Sequence, residues 1–206
     1  MKIDLESIDF ADEFDPFRLV QLIEWLENFA EKYAKEGPFD LIRCLKVLVF
    51  TENLKVPSGV GQGENLRWRE WQAEFIFHVY APVLQTNRNR RRIRRALLTM
   101  ARKNGKTALA AALVLVHLCG PEAKQNSEVV SAAVDREQAG VVFKMARQMV
   151  ELDDELKELV RPIGSQKRLV CYHLGTYYVA LSADAANKHG GNPSFAIYDE
   201  LAQAPS

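Results

Sequence analysis

The sequence lacks any segment long and apolar enough to cross a membrane. Its longest apolar run, Thr107 to Cys119, is shorter than the roughly 20 residues that a membrane-spanning helix needs. The start of the chain is acidic and lacks the basic-then-apolar character of a secretory signal. We therefore expect a protein that works in the cytoplasm of the cell that makes it and has no membrane partner.

Cysteine is scarce and net charge is absent. Cys44, Cys119 and Cys171 lie far apart and show no CxxC or Cys/His spacing, and the four histidines are equally scattered. This pattern favours buried thiols in a reducing compartment over metal ligands. The formal net charge is +0, so no global charge attracts the molecule to nucleic acid or to an anionic surface, although local patches remain open. We find no internal repeat and no low-complexity tract.

The first third of the chain has the apolar spacing of helices. Residues 1–36 are acidic, and apolar side chains recur at helical spacing between Phe17 and Tyr33. Gly37-Pro38 then stops the helix. Further helices are predicted at 41–50 and 66–83, with a glycine-rich loop at 57–63 between them.

Strand and helix patterns alternate in the remainder. Helices are predicted at 107–118, 136–150 and 154–160, and strands at 96–100, 129–134, 169–173, 177–182 and 195–198. The strands on either side of Gly175-Thr176 are predicted to form a hairpin. The alternation as a whole predicts an α/β fold with parallel strands.

Residues 100–107, Met-Ala-Arg-Lys-Asn-Gly-Lys-Thr, form a candidate phosphate-binding turn between a predicted strand and a predicted helix. A helix N-terminus presents backbone N–H groups and the positive end of the helix dipole to an anion. Gly105 allows close approach of the backbone, Lys106 can reach the β- and γ-phosphates, and Thr107 can ligate Mg²⁺. The usual pattern has glycine where this chain has Met100, so the match is partial. The alternative is a capped helix start with surface lysines.

The other residues of the turn are candidates for ATP binding. The Arg102 guanidinium can reach the γ-phosphate and stabilise charge in the transition state, and its alternative role is that of a solvated loop arginine. Lys103 and Asn104 lie in the same turn and are assigned to nucleotide binding with it.

A second motif follows at the end of the last predicted strand. Asp199 comes directly after the apolar run 195–198 and can hold Mg²⁺ through water, while the adjacent Glu200 can polarise the attacking water. Such a strand end is common by chance, but here it follows the phosphate turn in one chain. The two motifs together predict an ATPase that uses ATP and Mg²⁺.

These motifs, together with residues 129–143 and 181–203, resemble successive blocks of the ATPase domain of large terminases, the motors that drive the DNA of tailed bacteriophages into capsids. That family's phosphate turn lacks the first glycine and carries an internal basic residue, so Met100 fits the resemblance. Residues 69–72 are similar to the family's adenine-recognition segment. The resemblance implies that Gln72 pairs with the purine edge and that Trp71 lies beside it. The alternative for Gln72 is an exposed helix glutamine next to a core tryptophan.

The resemblance implies a P-loop NTPase-type parallel-sheet core over residues 66–206, preceded by a helical N-terminal preamble at 1–65. It also implies ATP hydrolysis that powers the translocation of viral double-stranded DNA. Its implied partners are double-stranded DNA, the portal protein, the small terminase subunit and, when the chain is complete, further copies in a ring. The chain ends six residues after Glu200, where the family continues with further strands and a nuclease domain. We therefore expect a core truncated after the Asp-Glu (Walker B) strand, nucleotide binding without assured turnover, and no nuclease activity.

Residues 88–95 contain six arginines in eight positions. Three interpretations remain open: a solvated loop that balances the acidic N-terminus, a contact with DNA phosphates, or an arginine that completes a neighbouring subunit's site. Two alternatives to the packaging motor also remain, a helicase-like motor fragment and a non-hydrolysing nucleotide-binding or assembly module.

Overall fold

The computed structural model describes residue 3 and residues 14–101, 104–133, 136–182 and 193–198. The chain divides into two compact units. The first consists of the chain up to Asn53 together with Leu66–Met100, and the second consists of Leu54–Asn65 together with the chain from Ala101 onward. The functional boundary predicted at residue 65 stays a prediction; by packing, Leu66–Met100 belongs to the first unit.

The first unit is built from three helices, all of which the apolar spacing predicts. They are α1 (Pro16–Lys32), α2 (Leu41–Asn53) and α3 (Glu70–Tyr80), and each packs against the other two. Asp15 caps α1, because its carboxylate accepts hydrogen bonds from the backbone N–H groups of Phe17 and Arg18 at 3.1 and 3.3 Å. The centre of the unit is filled by completely buried side chains: Leu22, Leu26, Leu45, Leu48, Ile76 and Phe77.

A buried ion pair links α1 to α2 within this unit. The Glu52 side chain is 0% exposed, and Arg18 donates to its two oxygens from Nε at 2.8 Å and from Nη2 at 2.5 Å. The backbone N–H of Trp68 also donates to Glu52, at 3.0 Å, and the Trp68 indole donates to Thr51 Oγ1 at 2.8 Å. The segment that leads into α3 is therefore tied to α2 by buried polar contacts.

The second unit contains a mixed five-stranded sheet. Its strands are β1 (Glu128–Ala133), β2 (Arg161–Ile163), β3 (Arg168–Cys171), β4 (Thr176–Ser182) and β5 (Phe195–Tyr198), in the order β2-β3-β4-β1-β5. β1 pairs in parallel with both β4 and β5, whereas β2, β3 and β4 pair antiparallel. The α/β class and the β3–β4 hairpin are thus confirmed. The prediction of a parallel sheet holds for β4, β1 and β5 only.

Three helices accompany the sheet: α4 (Lys106–Leu118), α5 (Arg136–Glu151) and α6 (Asp154–Leu159). α4 packs against α5 and against β1, β4 and β5. It consists almost entirely of alanine, leucine and valine, and nine of its residues are buried, so this helix lies in the core of its unit. In the part of the chain that the structure describes, no helix is long and apolar enough to span a bilayer.

The strand predicted at 96–100 is wrong. The structure describes these residues and assigns no strand to them, and Leu97 is 79% exposed. An apolar run becomes a strand only when a neighbouring strand accepts and donates its backbone hydrogen bonds. Residues 96–100 belong to the first unit, whose described elements are helical.

Candidate nucleotide-binding site

Gly105 starts α4 in a conformation that suits glycine. Its φ is +76°, in the left-handed region, where a side chain would be strained. The Gly105 carbonyl accepts the first helical bond, from Leu109 N–H at 3.0 Å, and Asn104 Nδ2 donates to the Ala101 carbonyl at 3.2 Å. No side chain caps this helix start in the described residues. Backbone N–H groups at such a start suit the oxygens of an anion, so the local structure fits a phosphate.

Two contacts fix the other end of α4 against the sheet. The His117 ring stacks on the Phe195 ring, with centroids 3.9 Å apart and planes at 9°. The Thr176 hydroxyl donates to the Leu118 carbonyl at 2.6 Å. Phe195 and Thr176 are the first residues of β5 and β4. The C-terminus of α4 therefore lies at the edge where the parallel strands begin.

It follows that α4 runs antiparallel to β1, β4 and β5. A helix of 13 residues spans about 20 Å, and a strand of six residues, such as β1, also spans about 20 Å. The N-terminus of α4 thus lies toward the edge where the three parallel strands end. In α/β sheets this is the edge at which ligands bind.

The structure describes only part of the predicted site. Asn104, Gly105, Lys106 and Thr107 lie together at the start of α4 on the carboxyl edge of the sheet, and Lys106 and Thr107 are half-buried. β5 also ends at this edge, and Asp199 follows it directly in the sequence. Four predicted residues lie outside the described residues, and their roles stay predictions: Arg102, Lys103, Asp199 and Glu200.

Gln72 occupies the first turn of α3 in the first unit. It is only 7% exposed, so the alternative of an exposed helix glutamine is wrong. Its Oε1 accepts a hydrogen bond from the Arg69 backbone N–H at 2.9 Å, which helps to cap the helix. Trp71 beside it is half-buried. The adenine-binding role of both residues stays a prediction.

The cysteines have the character of structural thiols. All three are free, Cys44 and Cys171 are buried, and Cys119 is half-buried. Desolvation raises the pKa of the Cys119 thiol to about 12, so the thiolate that acts as a nucleophile or a metal ligand is disfavoured there. Among the described residues, no three histidine, cysteine or acidic side chains are grouped as a metal site requires.

The sequence analysis missed the contacts that orient α4. His117 and Phe195 are 78 positions apart in the chain, and Leu118 and Thr176 are 58 apart. Ser131 and Tyr178 share a buried hydrogen bond of 2.6 Å between β1 and β4, and burial raises the pKa of Tyr178. No spacing pattern indicates such pairs, because each forms only after the sheet has brought distant segments together.

Comparison with known proteins identifies the family. The sequence pattern of the family described as "Terminase large subunit, ATPase domain" matches residues 70–206. The chain belongs to this family. The terminase resemblance of the sequence motifs is thereby confirmed.

Two relatives of this terminase chain come from the same phage. The large terminase subunit of Enterobacteria phage HK97 is 42% identical over 164 residues, which are 79% of this chain and 31% of that protein. The crystal structure of the HK97 bacteriophage large terminase is similar with a TM-score of 0.67 and 41% identity, covering 78% of this chain and 32% of that one. The chain thus spans about a third of the length of these relatives.

Proposed function

We propose that this chain binds and hydrolyses ATP as the ATPase part of a motor that moves viral double-stranded DNA into a capsid. One observation carries the proposal: the N-terminus of α4, with Gly105, Lys106 and Thr107, lies at the carboxyl edge of the parallel strands, where β5 leads toward Asp199 and Glu200. ATP chemistry requires a helix start that suits phosphate and acidic side chains nearby, and β5 ends at the same edge with two acids next in the sequence. Membership of the terminase ATPase family supports the same chemistry.

In this proposal the start of α4 holds the phosphates. The Lys106 ammonium and the first-turn N–H groups bind the β- and γ-phosphate oxygens, with the positive end of the helix dipole behind them. Asn104 and Lys103 complete the turn around the phosphates. Thr107 and Asp199 would hold Mg²⁺, which would supply neutralisation of the phosphate charge. Nine buried residues between Leu109 and Leu118 anchor α4 in the core of its unit, behind the turn that meets the phosphates.

The hydrolytic step is assigned to Glu200 and Arg102. Glu200 orients the attacking water and accepts its proton as the water oxygen bonds to the γ-phosphorus. The bond from that phosphorus to the bridging oxygen breaks, so that ADP leaves with the electron pair and inorganic phosphate is formed. Arg102 stabilises the charge that spreads over the γ-phosphate oxygens in the transition state. Gln72 and Trp71 are assigned to the adenine base.

A pair of variants tests this assignment. We expect Lys106→Ala to lose binding of a fluorescent ATP analogue, because it removes the cation at the phosphates. Glu200→Gln should retain binding and lose phosphate release, because an amide cannot take the proton. Lys144→Ala is the matched control, since Lys144 is an exposed lysine on α5, and it should change neither quantity. If Lys106→Ala binds the analogue as tightly as the control does, the site assignment is wrong.

The same variants separate the motor from the alternative of a non-hydrolysing binding module. A chain that binds the analogue without releasing phosphate, even when the remaining part of the large subunit is added, would support the binding module. We further propose that the chain works in the cytoplasm of the infected cell with the portal protein, the small terminase subunit and further copies of itself in a ring. These partners are inferred from the family alone.

A further inference from the structure

Positive charge is concentrated in one stretch of a chain whose net charge is zero. Between Glu74 and Glu122 the sequence contains no aspartate and no glutamate. The same stretch contains six arginines at 88–95, followed by Arg102, Lys103 and Lys106. The sequence therefore concentrates positive charge between residues 88 and 106, although the molecule as a whole is neutral.

Residues 84–95, here called the arginine loop, belong to the first unit, and backbone contacts hold the part up to Arg92 in a defined conformation. Val83 pairs with Arg91 in an antiparallel bridge, and Leu84 N–H donates to the Arg90 carbonyl at 3.0 Å. Arg92 N–H donates to the Pro82 carbonyl at 2.8 Å, and Arg90 N–H closes the tip by donating to Asn87 at 3.0 Å. Much of the entropy of ordering this loop is thus lost on folding and need not be lost again on binding.

Two further contacts hold the arginine loop against the helices. The Arg91 guanidinium lies over the Tyr80 ring, 4.9 Å from its centroid. Arg43, on α2, donates from Nη1 to the Asn89 carbonyl at 3.1 Å. One arginine of the run therefore serves packing inside the unit.

Four of the remaining five arginine side chains are available to a partner outside the unit. Arg88, Arg90, Arg94 and Arg95 are exposed, and within the described ranges no carboxylate forms an ion pair with any of them. Four exposed guanidinium groups also exceed what is needed to complete a neighbouring ATP site, for which one arginine suffices.

We propose that the arginine loop binds the phosphate backbone of double-stranded DNA. This inference rests on the proposed function, since it assigns the DNA contact of the same motor. Guanidinium groups keep their charge at all physiological pH values and bind phosphate oxygens in a bidentate manner. Duplex DNA carries a phosphate about every 1.7 Å along its axis, so four guanidinium groups on one loop meet several phosphates within a short length of duplex. The loop can therefore reach several phosphates, and contacts of this kind carry no base sequence preference.

The salt dependence of DNA binding tests this proposal. Binding of a fluorescent 30-base-pair duplex of mixed sequence is measured by anisotropy at several KCl concentrations, without nucleotide. Replacing the four exposed arginines should make the slope of log K against log salt shallower by about 3.6, because each phosphate contact contributes about 0.9. The variant is Arg88→Gln, Arg90→Gln, Arg94→Gln and Arg95→Gln combined. The matched control removes four exposed cations elsewhere and should keep the wild-type slope: Lys35→Gln, Lys124→Gln, Lys144→Gln and Arg161→Gln.

Each outcome has a defined meaning, provided that circular dichroism shows both variants folded. An unchanged slope in the arginine variant overturns the proposal, as does an equal change in the control, which would indicate a general charge effect. Loss of ATP hydrolysis with intact DNA binding overturns it in favour of an arginine that completes a neighbouring site. If the wild-type chain binds the ATP analogue but no DNA at low salt, the DNA surface is wrong while the ATP site stands. If the Lys106→Ala test fails but the slope changes as expected, the DNA surface stands without the ATP site.

Discussion

Replacing Glu52 with glutamine tests the buried ion pair that holds the first unit together. Glutamine keeps the size of the side chain, and its amide oxygen can still accept the hydrogen bond from Trp68 N–H. It removes the negative charge that both Arg18 donors contact, at 2.8 and 2.5 Å. Among the described residues no other carboxylate pairs with the Arg18 guanidinium, whose side chain is only 11% exposed.

The expected effect is large. Removing one partner of a buried ion pair lowers the free energy of unfolding by about 3–5 kcal/mol, because the other charge remains buried and unpaired. With an m-value of about 2 kcal/mol/M in urea, the midpoint should fall by about 2 M. An exposed pair of the same type contributes far less.

Tryptophan fluorescence measures this unfolding in the correct part of the chain. The three tryptophans, Trp25, Trp68 and Trp71, all lie in the first unit, so their emission reports that unit even if the two units unfold separately. Glu74→Gln is the control in the same unit, because the pair of Glu74 with Lys32 is partly exposed at 26% and 59%. If Glu52→Gln lowers the urea midpoint no more than Glu74→Gln does, the buried-charge argument is refuted.

Three further predictions concern the site, the pH dependence and the end of α4. Gly105→Ala should weaken binding of the ATP analogue, since the left-handed conformation costs a non-glycine residue about 1–2 kcal/mol. The control is Gly59→Ala, which changes a glycine at φ +87° in open space and should leave binding unchanged. The hydrogen bond from the Lys32 ammonium lowers the pKa of Glu74. The contribution of this pair to the free energy of unfolding is therefore present above the ordinary glutamate pKa and is lost as pH falls through the lowered value. The urea midpoints of wild type and Glu74→Gln should converge in acid. Thr176→Val should lower the free energy of unfolding by about 1–3 kcal/mol, because the buried Leu118 carbonyl loses its donor. Thr176→Ser keeps a hydroxyl and should retain most of the wild-type stability. Urea unfolding followed by circular dichroism measures both variants.

Local pattern was sufficient to predict most elements of this fold. The helices from Pro16 to Tyr80 and the α4 helix have apolar stripes or runs that specify them. The β3–β4 hairpin was evident from Gly175 between two short apolar runs. These features depend on residues close in the chain, which a single sequence displays directly.

What could not be predicted depends on distant contacts. Residues 96–100 have the composition of a strand, but their packing places them in the helical unit. The direction of α4 is set by His117 on Phe195 and by Thr176 on Leu118, and neither pair has a local signal. The buried state of Gln72 likewise follows from the packing of α3.

The most direct test of the central claim is a crystal structure of the chain with Mg²⁺ and a non-hydrolysable ATP analogue. The account predicts γ-phosphate density within hydrogen-bonding distance of Lys106 Nζ, with the Thr107 hydroxyl and the Asp199 carboxylate facing one metal ion. Triphosphate bound away from the start of α4, or Asp199 and Glu200 on the side of the sheet remote from Lys106, would contradict it.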